Sequence, residues 1–154
     1  MVKKIVALFA TLFLGLSLVA CSSDSAETKT FVKEGNGVNS TLVYYYSGDE
    51  VSKQTFENTL DLAEIKKTTK IDVEGVKAQI KQLGKQYEGV KGIDYKLDIN
   101  GDKVVEKGTV DYKNLDFAKA KQIKSIMLTG DGKQKISMKK SEESVLKAGF
   151  TEKK

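Results

Sequence analysis

The chain contains no histidine, no arginine, no proline and no tryptophan, and its one cysteine is Cys21. Each absence removes a class of chemistry. Without histidine, no Ser-His or Cys-His catalytic pair and no His-ligated zinc or haem site can be built from this chain. A single cysteine excludes intrachain disulfides, Cys-rich zinc sites and iron–sulfur cages. Without arginine there is no bidentate guanidinium clamp for phosphate. All 26 basic residues are therefore lysines; against 21 acids they give a net charge of +5 over 154 residues. That length suits one domain. The small positive excess argues against nucleic acid as a partner.

What is present begins with the N-terminus. Lys3 and Lys4 precede an apolar run from Ile5 to Val19, and the small residue Ala20 follows. This is the layout of a secretory signal peptide, and the run is shorter than the ~20 residues of a spanning helix. Leu18, Val19, Ala20 and Cys21 resemble the lipobox of bacterial lipoproteins. In that family the Cys thiol receives a diacylglyceryl group and the signal peptide is cut just before it. A plain signal peptide with an incidental cysteine is the alternative. The resemblance implies a cleaved signal peptide over 1–20, a lipidated N-terminus and flexible tether over 21–29, and a single domain over 30–154. Loss of Lys3 and Lys4 leaves 24 lysines against 21 acids, a net +3. Residues 22–28, Ser-Ser-Asp-Ser-Ala-Glu-Thr, are small and polar, as a tether requires.

Within the domain, strands are expected over Phe31–Glu34, Val38–Tyr46 and Val51 to about Leu60, with turns at Gly35-Asn36-Gly37 and Ser47–Glu50. Three consecutive tyrosines, Tyr44 to Tyr46, should alternate between the two faces of their strand. A helix is expected from Asp72 as N-cap to Gly89, with Val73, Val76, Ile80, Leu83 and Tyr87 forming its apolar stripe. Ile93, Tyr95, Leu97 and Ile99 alternate with charged residues and lead into Asn100-Gly101, a hairpin signal of type I′. A loop of those two residues would set Asp98 opposite Lys103, Asp94 opposite Lys107 and Leu97 opposite Val104. A short helix is expected over Leu115–Ile123 with Asn114 as cap, and a strand over Ser125–Thr129 ending at Gly130-Asp131-Gly132. A last helix, Met138 to Ala148, has Ser137 as cap, with Gly149 and Phe150 placed for a Schellman end. Hairpins without a βαβ repeat give an α+β class: a mainly antiparallel sheet with about three helices packed on one face.

Three stretches of the chain, YYYSGDEVSKQTFENT (Tyr44–Thr59), KQYEGVKGIDY (Lys85–Tyr95) and ISMKKSEESVLKAGF (Ile136–Phe150), together with the lipobox, resemble the YehR-like family of bacterial lipoproteins. The resemblance implies a compact α+β domain held at a bacterial membrane. It transfers no catalytic residue; the one functional position it carries over is Cys21.

Other patterns have simpler readings. Asp98, Asn100 and Asp102 open like a calcium loop, but Lys103 stands where Gly is required and Thr109 where a bidentate Glu is required. Ser137 and Lys140 match S-x-x-K, but the S-D-N and K-T-G partners of penicillin-recognising enzymes are missing. Lys77, Lys81 and Lys85 form an i, i+4, i+8 row, a solvated face or a candidate membrane-facing row. The expected function is that of a non-enzymatic, lipid-anchored domain on the extracytoplasmic face of the cell membrane. It would use no cofactor or metal and would bind an unidentified ligand or envelope protein. The alternatives are a carboxylate-based envelope hydrolase or transferase, and a structural envelope component.

Overall fold

A computed structural model describes residues 26–123 and 135–154. The expected strand over Ser125–Thr129 and the turn at Gly130-Asp131-Gly132 lie outside the described residues, as do Leu18, Val19, Ala20 and Cys21. The elements are β1 (Glu27–Gly35), β2 (Val38–Ser47), β3 (Glu50–Asp61), α1 (Leu62–Thr68), α2 (Val73–Gly84), β4 (Ile93–Asn100), β5 (Lys103–Asp111), α3 (Phe117–Ala120), β6 (Ile136–Ser137), α4 (Met138–Lys147) and β7 (Thr151–Lys153). They form an antiparallel sheet in the order β4-β5-β3-β2-β1-β7, with β6 paired to the start of β3. The fold is α+β with a mainly antiparallel sheet, as the hairpin-rich sequence implies.

Turn chemistry builds the β1–β2 hairpin. Gly35 pairs with Val38, so Asn36 and Gly37 form a two-residue loop, and both have positive φ, 51° and 78°. That is the type I′ signature. Between β2 and β3 the register shifts after Tyr45, where Tyr45 pairs with Lys53 but Tyr46 pairs with Val51. The extra residue, Ser52, donates its hydroxyl to the Tyr45 carbonyl at 3.1 Å. The bulge puts Val51 and Gln54 on the same face although they are three apart. Tyr44 and Tyr46 point into the core, and Tyr45 takes the other face beneath the Lys53 ammonium, 3.9 Å from the ring centroid.

The core lies between the sheet and α4. Phe31, Tyr44, Tyr46, Val51, Val110, Tyr112, Ile136, Met138 and Val145 are among its buried members. α4 is held at both ends by local bonds. The Ser137 hydroxyl accepts from Lys140 N–H and donates to Asp49, whose carboxylate also accepts from Lys139 N–H at 2.8 Å. At the other end Phe150 N–H bonds the Val145 carbonyl and Gly149 N–H bonds the Leu146 carbonyl, which is the Schellman pattern expected from sequence.

The first strand, expected from Phe31, begins at Glu27, which pairs with Tyr46, and further expectations are corrected. The β4–β5 register differs from that set by an Asn100-Gly101 loop. Asn100 pairs with Lys103, so the loop is Gly101-Asp102, and Asp98 faces Val105, Asp94 faces Thr109 and Leu97 faces Glu106. Gly101 alone has positive φ there, at 57°, which matches type II′ rather than I′. The cause is tertiary: the Asp102 carbonyl accepts from Leu62 N–H at 2.8 Å and its carboxylate accepts from Lys77 at 3.2 Å. A two-residue change in register preserves the faces, so Ile93, Tyr95, Leu97 and Ile99 still share the inner side.

The helix expected to reach Gly89 ends at Gly84, and one 3₁₀ turn, Lys85–Tyr87, follows. The Asp72 side chain makes no cap bond; its carboxylate lies against Gly75 instead. The helix expected over Leu115–Ile123 is confined to Phe117–Ala120. Asn114 is drawn into a turn by Asp111, and Asp116 supplies the cap by accepting from Lys119 N–H. Finally, α1 was not expected. Its signal was the Asp61…Glu64 capping spacing, and Asp61 does accept from Glu64 N–H at 3.0 Å.

Candidate functional site

α2 packs beside β4, and α4 packs against β6 and β7. The two helices thus lie over opposite halves of the sheet. Between them is a cleft of about 280 Å³. Its floor is formed by Leu42 and Tyr44 of β2, Gln54, Phe56 and Asn58 of β3, and Glu106 and Val110 of β5. Leu83 and Tyr87 close it on the α2 side, and Val145 and Phe150 on the α4 side. Leu83 is 50% exposed at the mouth, unusual for a leucine on the apolar stripe of a packed helix.

The floor is shaped by one missing side chain. Gly108 lies between Glu106 and Val110 on the inner face of β5, opposite Phe56 and Tyr95. A Cβ on Gly108 would come within 2.4 Å of the Phe56 ring. The ring fills that space and joins Tyr87 and Tyr95, whose rings stack at 4.5 Å. The wall beneath α2 is therefore aromatic and tightly packed.

Polar groups stand at the two ends of the cleft. At one end Glu106 accepts from the Tyr95 hydroxyl at 2.7 Å and from the Asn58 amide at 3.3 Å. Burial, reinforced by the bond to Glu106, pushes the Tyr95 hydroxyl well above the usual tyrosine range, so it stays a donor. At the other end the Tyr112 hydroxyl donates to Gln54 at 2.7 Å. Burial pushes Tyr112 up as well, and Tyr44 up to about 12. Glu106 is the one carboxylate in the lining among the described residues. A mostly apolar concavity with a few converging polar groups is the usual form of a small-ligand site. Sequence reasoning missed it, because its residues come from three strands, two helices, the 3₁₀ turn and the α4–β7 link, and share no motif.

The residues singled out from sequence lie elsewhere. Lys77 is not a free charge: it bonds Glu74 at 2.8 Å and Asp102 at 3.2 Å, and its side chain is 14% exposed. Those carboxylates raise its pKa. Lys81 and Lys85 are exposed and border a more open groove of about 550 Å³ beside β4. Ser137 and Asp49 are committed to the start of α4. On the helix-free face, Thr41, Val43, Tyr45, Thr55 and Thr109 line a shallow depression of about 440 Å³. Among the described residues no helix is long and apolar enough to cross a membrane.

The sequence pattern of a family described as protein of unknown function DUF1307 matches residues 27–151. The chain is 34% identical over 152 residues to the uncharacterized lipoprotein Lmo0207 of Listeria monocytogenes, covering 99% of this chain and 97% of that one. It is 32% identical over 151 residues to the uncharacterized lipoprotein YehR of Escherichia coli, covering 97% and 96%. The NMR structure of E. coli YehR superposes with a TM-score of 0.65 at 31% identity, covering 85% of this chain and 93% of that one. An NMR structure from Streptococcus pneumoniae, at a TM-score of 0.56 and 19% identity, shares the fold. The chain therefore belongs to the DUF1307 family, and its relatives include bacterial proteins named as lipoproteins, YehR among them.

Proposed function

We propose that this protein is exported and anchored by a diacylglyceryl thioether on Cys21 to the extracytoplasmic face of the cell membrane. There its domain binds a small apolar ligand in the cleft between α2 and α4. The lipobox Leu18-Val19-Ala20-Cys21 and the lipoprotein names of its relatives support the anchor. Two acyl chains hold a protein stably where one does not. Mass spectrometry of the mature N-terminus tests it: the first residue should be Cys21 carrying lipid mass, and an unmodified Cys21 would refute the assignment.

The cleft is the observation that carries the binding reading. Glycosidase-type hydrolysis uses two carboxyl groups about 5–9.5 Å apart, whereas the lining offers Glu106 alone, with both oxygens already bonded. This favours binding over carboxylate catalysis. The mature chain with Cys21→Ser should brighten the neutral dye Nile red, and Leu83→Trp at the mouth should lower that affinity at least fivefold. Equal dye binding by the two proteins would move the site elsewhere.

A further inference from the structure

We infer that the cleft selects an elongated apolar molecule with a hydrogen-bond-donating head, a hydroxyl or an ammonium, seated against Glu106, and discriminates against an anionic head. The inference rests on the cleft being a binding site and deepens that reading.

The geometry runs as follows. Gln54 and Asn58 lie on one strand, four residues apart, so the two polar ends are separated by about 13 Å. Between them the surface is Leu42, Tyr44, Phe56 and Val110 below, with Leu83, Val145 and Phe150 at the sides. An apolar chain of moderate length fits such a trough. A shorter polar molecule would leave the aromatic floor uncovered.

The Glu106 end sets the sign. An ionised carboxylate offers about four acceptor positions. Tyr95 and Asn58 occupy one on each oxygen, and both are neutral donors. No described lysine lies within ion-pair distance of Glu106, although Lys29, Lys77, Lys107 and Lys135 all have carboxylate partners. The negative charge at this end is thus oriented but not neutralised. A ligand hydroxyl or ammonium would take a remaining acceptor position. A ligand carboxylate would meet like charge in a partly desolvated site, where electrostatic interactions are stronger than in water. Net charge works the other way: a mature chain of +3 draws anions in general, so a preference against them must be local.

The test uses three probes with the same chain, 1-decanol, decylamine and decanoate, below their aggregation limits at pH 7.5. The protein is the mature chain with Cys21→Ser, which has no lipid of its own to compete. NMR titration of the methyl groups of Leu83, Val110 and Val145 gives both place and affinity. Decanol and decylamine should bind at least tenfold more tightly than decanoate, with shifts at all three residues. Glu106→Gln keeps the shape and the bond from Tyr95; it should weaken decylamine at least tenfold and bring decanoate within threefold of decanol. Decanoate binding as tightly as the other two, or selectivity unchanged in Glu106→Gln, overturns the donor-head assignment and leaves the cleft standing as an apolar site. Failure of all three probes to shift those methyls overturns the cleft reading and the ligand class with it.

Discussion

Gly108 and the buried tyrosines illustrate how single residues shape this site. At Gly108 the constraint is space. Any side chain there meets the Phe56 ring, which rests on Tyr87 and Tyr95. Gly108→Ala should cost about 1–3 kcal/mol, the usual range for overpacking a filled interior. Urea unfolding measures it, and unchanged stability would show that the ring moves freely. For the tyrosines the constraint is charge. Tyr44, Tyr95 and Tyr112 all have pKa values raised by burial, Tyr44 to about 12. A raised folded-state pKa means that the folded protein holds its protons more tightly. That stabilisation is complete below the unfolded value near pH 10 and is lost as pH climbs through the folded value. For Tyr44 alone the shift from 10.0 to about 12 corresponds to roughly 3 kcal/mol. Thermal melts should therefore be flat near neutrality and fall steeply between pH 10 and 12. Tyr44→Phe should make that fall shallower.

At the scale of elements, local chemistry and tertiary contacts divide the work. α4 follows its own sequence: Ser137 starts it, Gly149 and Phe150 end it, and both ends are where sequence places them. The β4–β5 hairpin does not. Asn-Gly at 100–101 is a strong type I′ signal, yet the loop is Gly101-Asp102. An Asn-Gly pair does make that turn at Asn36-Gly37, where the Gly37 carbonyl accepts from Asp61 N–H at 2.7 Å. At the second hairpin, β5 must also pair with β3, and Lys103 lies opposite Asp61. The same contact brings the Asp102 carbonyl to Leu62 N–H at the start of α1. One turn preference yields to the bonds that the Asp102 turn makes with Leu62 and Lys77. Gly101 still supplies positive φ, so Gly101→Val should destabilise by about 1–2 kcal/mol. Asn100→Ala should cost less, because Asn100 lies in the strand rather than the loop. Equal losses would restore the Asn100-Gly101 turn.

For the whole molecule, the sheet carries α2 and α4 over opposite halves, and their separation opens the cleft. The same arrangement divides the lysine row. Lys77 is tied to the Asp102 turn, while Lys81 and Lys85 stay exposed. If lysines of α2 meet an anionic bilayer, each adds about 1 kcal/mol. Vesicle binding of the Cys21→Ser chain at low salt should then fall with Lys81→Gln and Lys85→Gln together and hardly change with Lys77→Gln. Lys77→Gln should instead lower thermal stability by releasing Glu74 and Asp102. Undiminished binding by the double variant would remove α2 from the membrane contact.

Sequence was enough for whatever depends on near neighbours along the chain. The strands β2 and β3, the alternation of Tyr44 to Tyr46, the inner face of β4 and both ends of α4 follow from side-chain period, cap residues and turn residues within a few positions. Tertiary structure decided what depends on distant segments meeting. The β4–β5 register follows from the bonds of Asp102 to Leu62 of α1 and Lys77 of α2, and the missing side chain of Gly84 lets α2 lie close to Tyr95. The three-residue β7 has no apolar pattern and is a strand only because Val32, Phe31 and Thr30 offer it an edge. The cleft is the fullest case. Leu42, Phe56, Leu83, Glu106, Val145 and Phe150 look like ordinary core and surface residues in the sequence. They form a cleft because two helices, each placed by its own contacts, leave uncovered the strands between them.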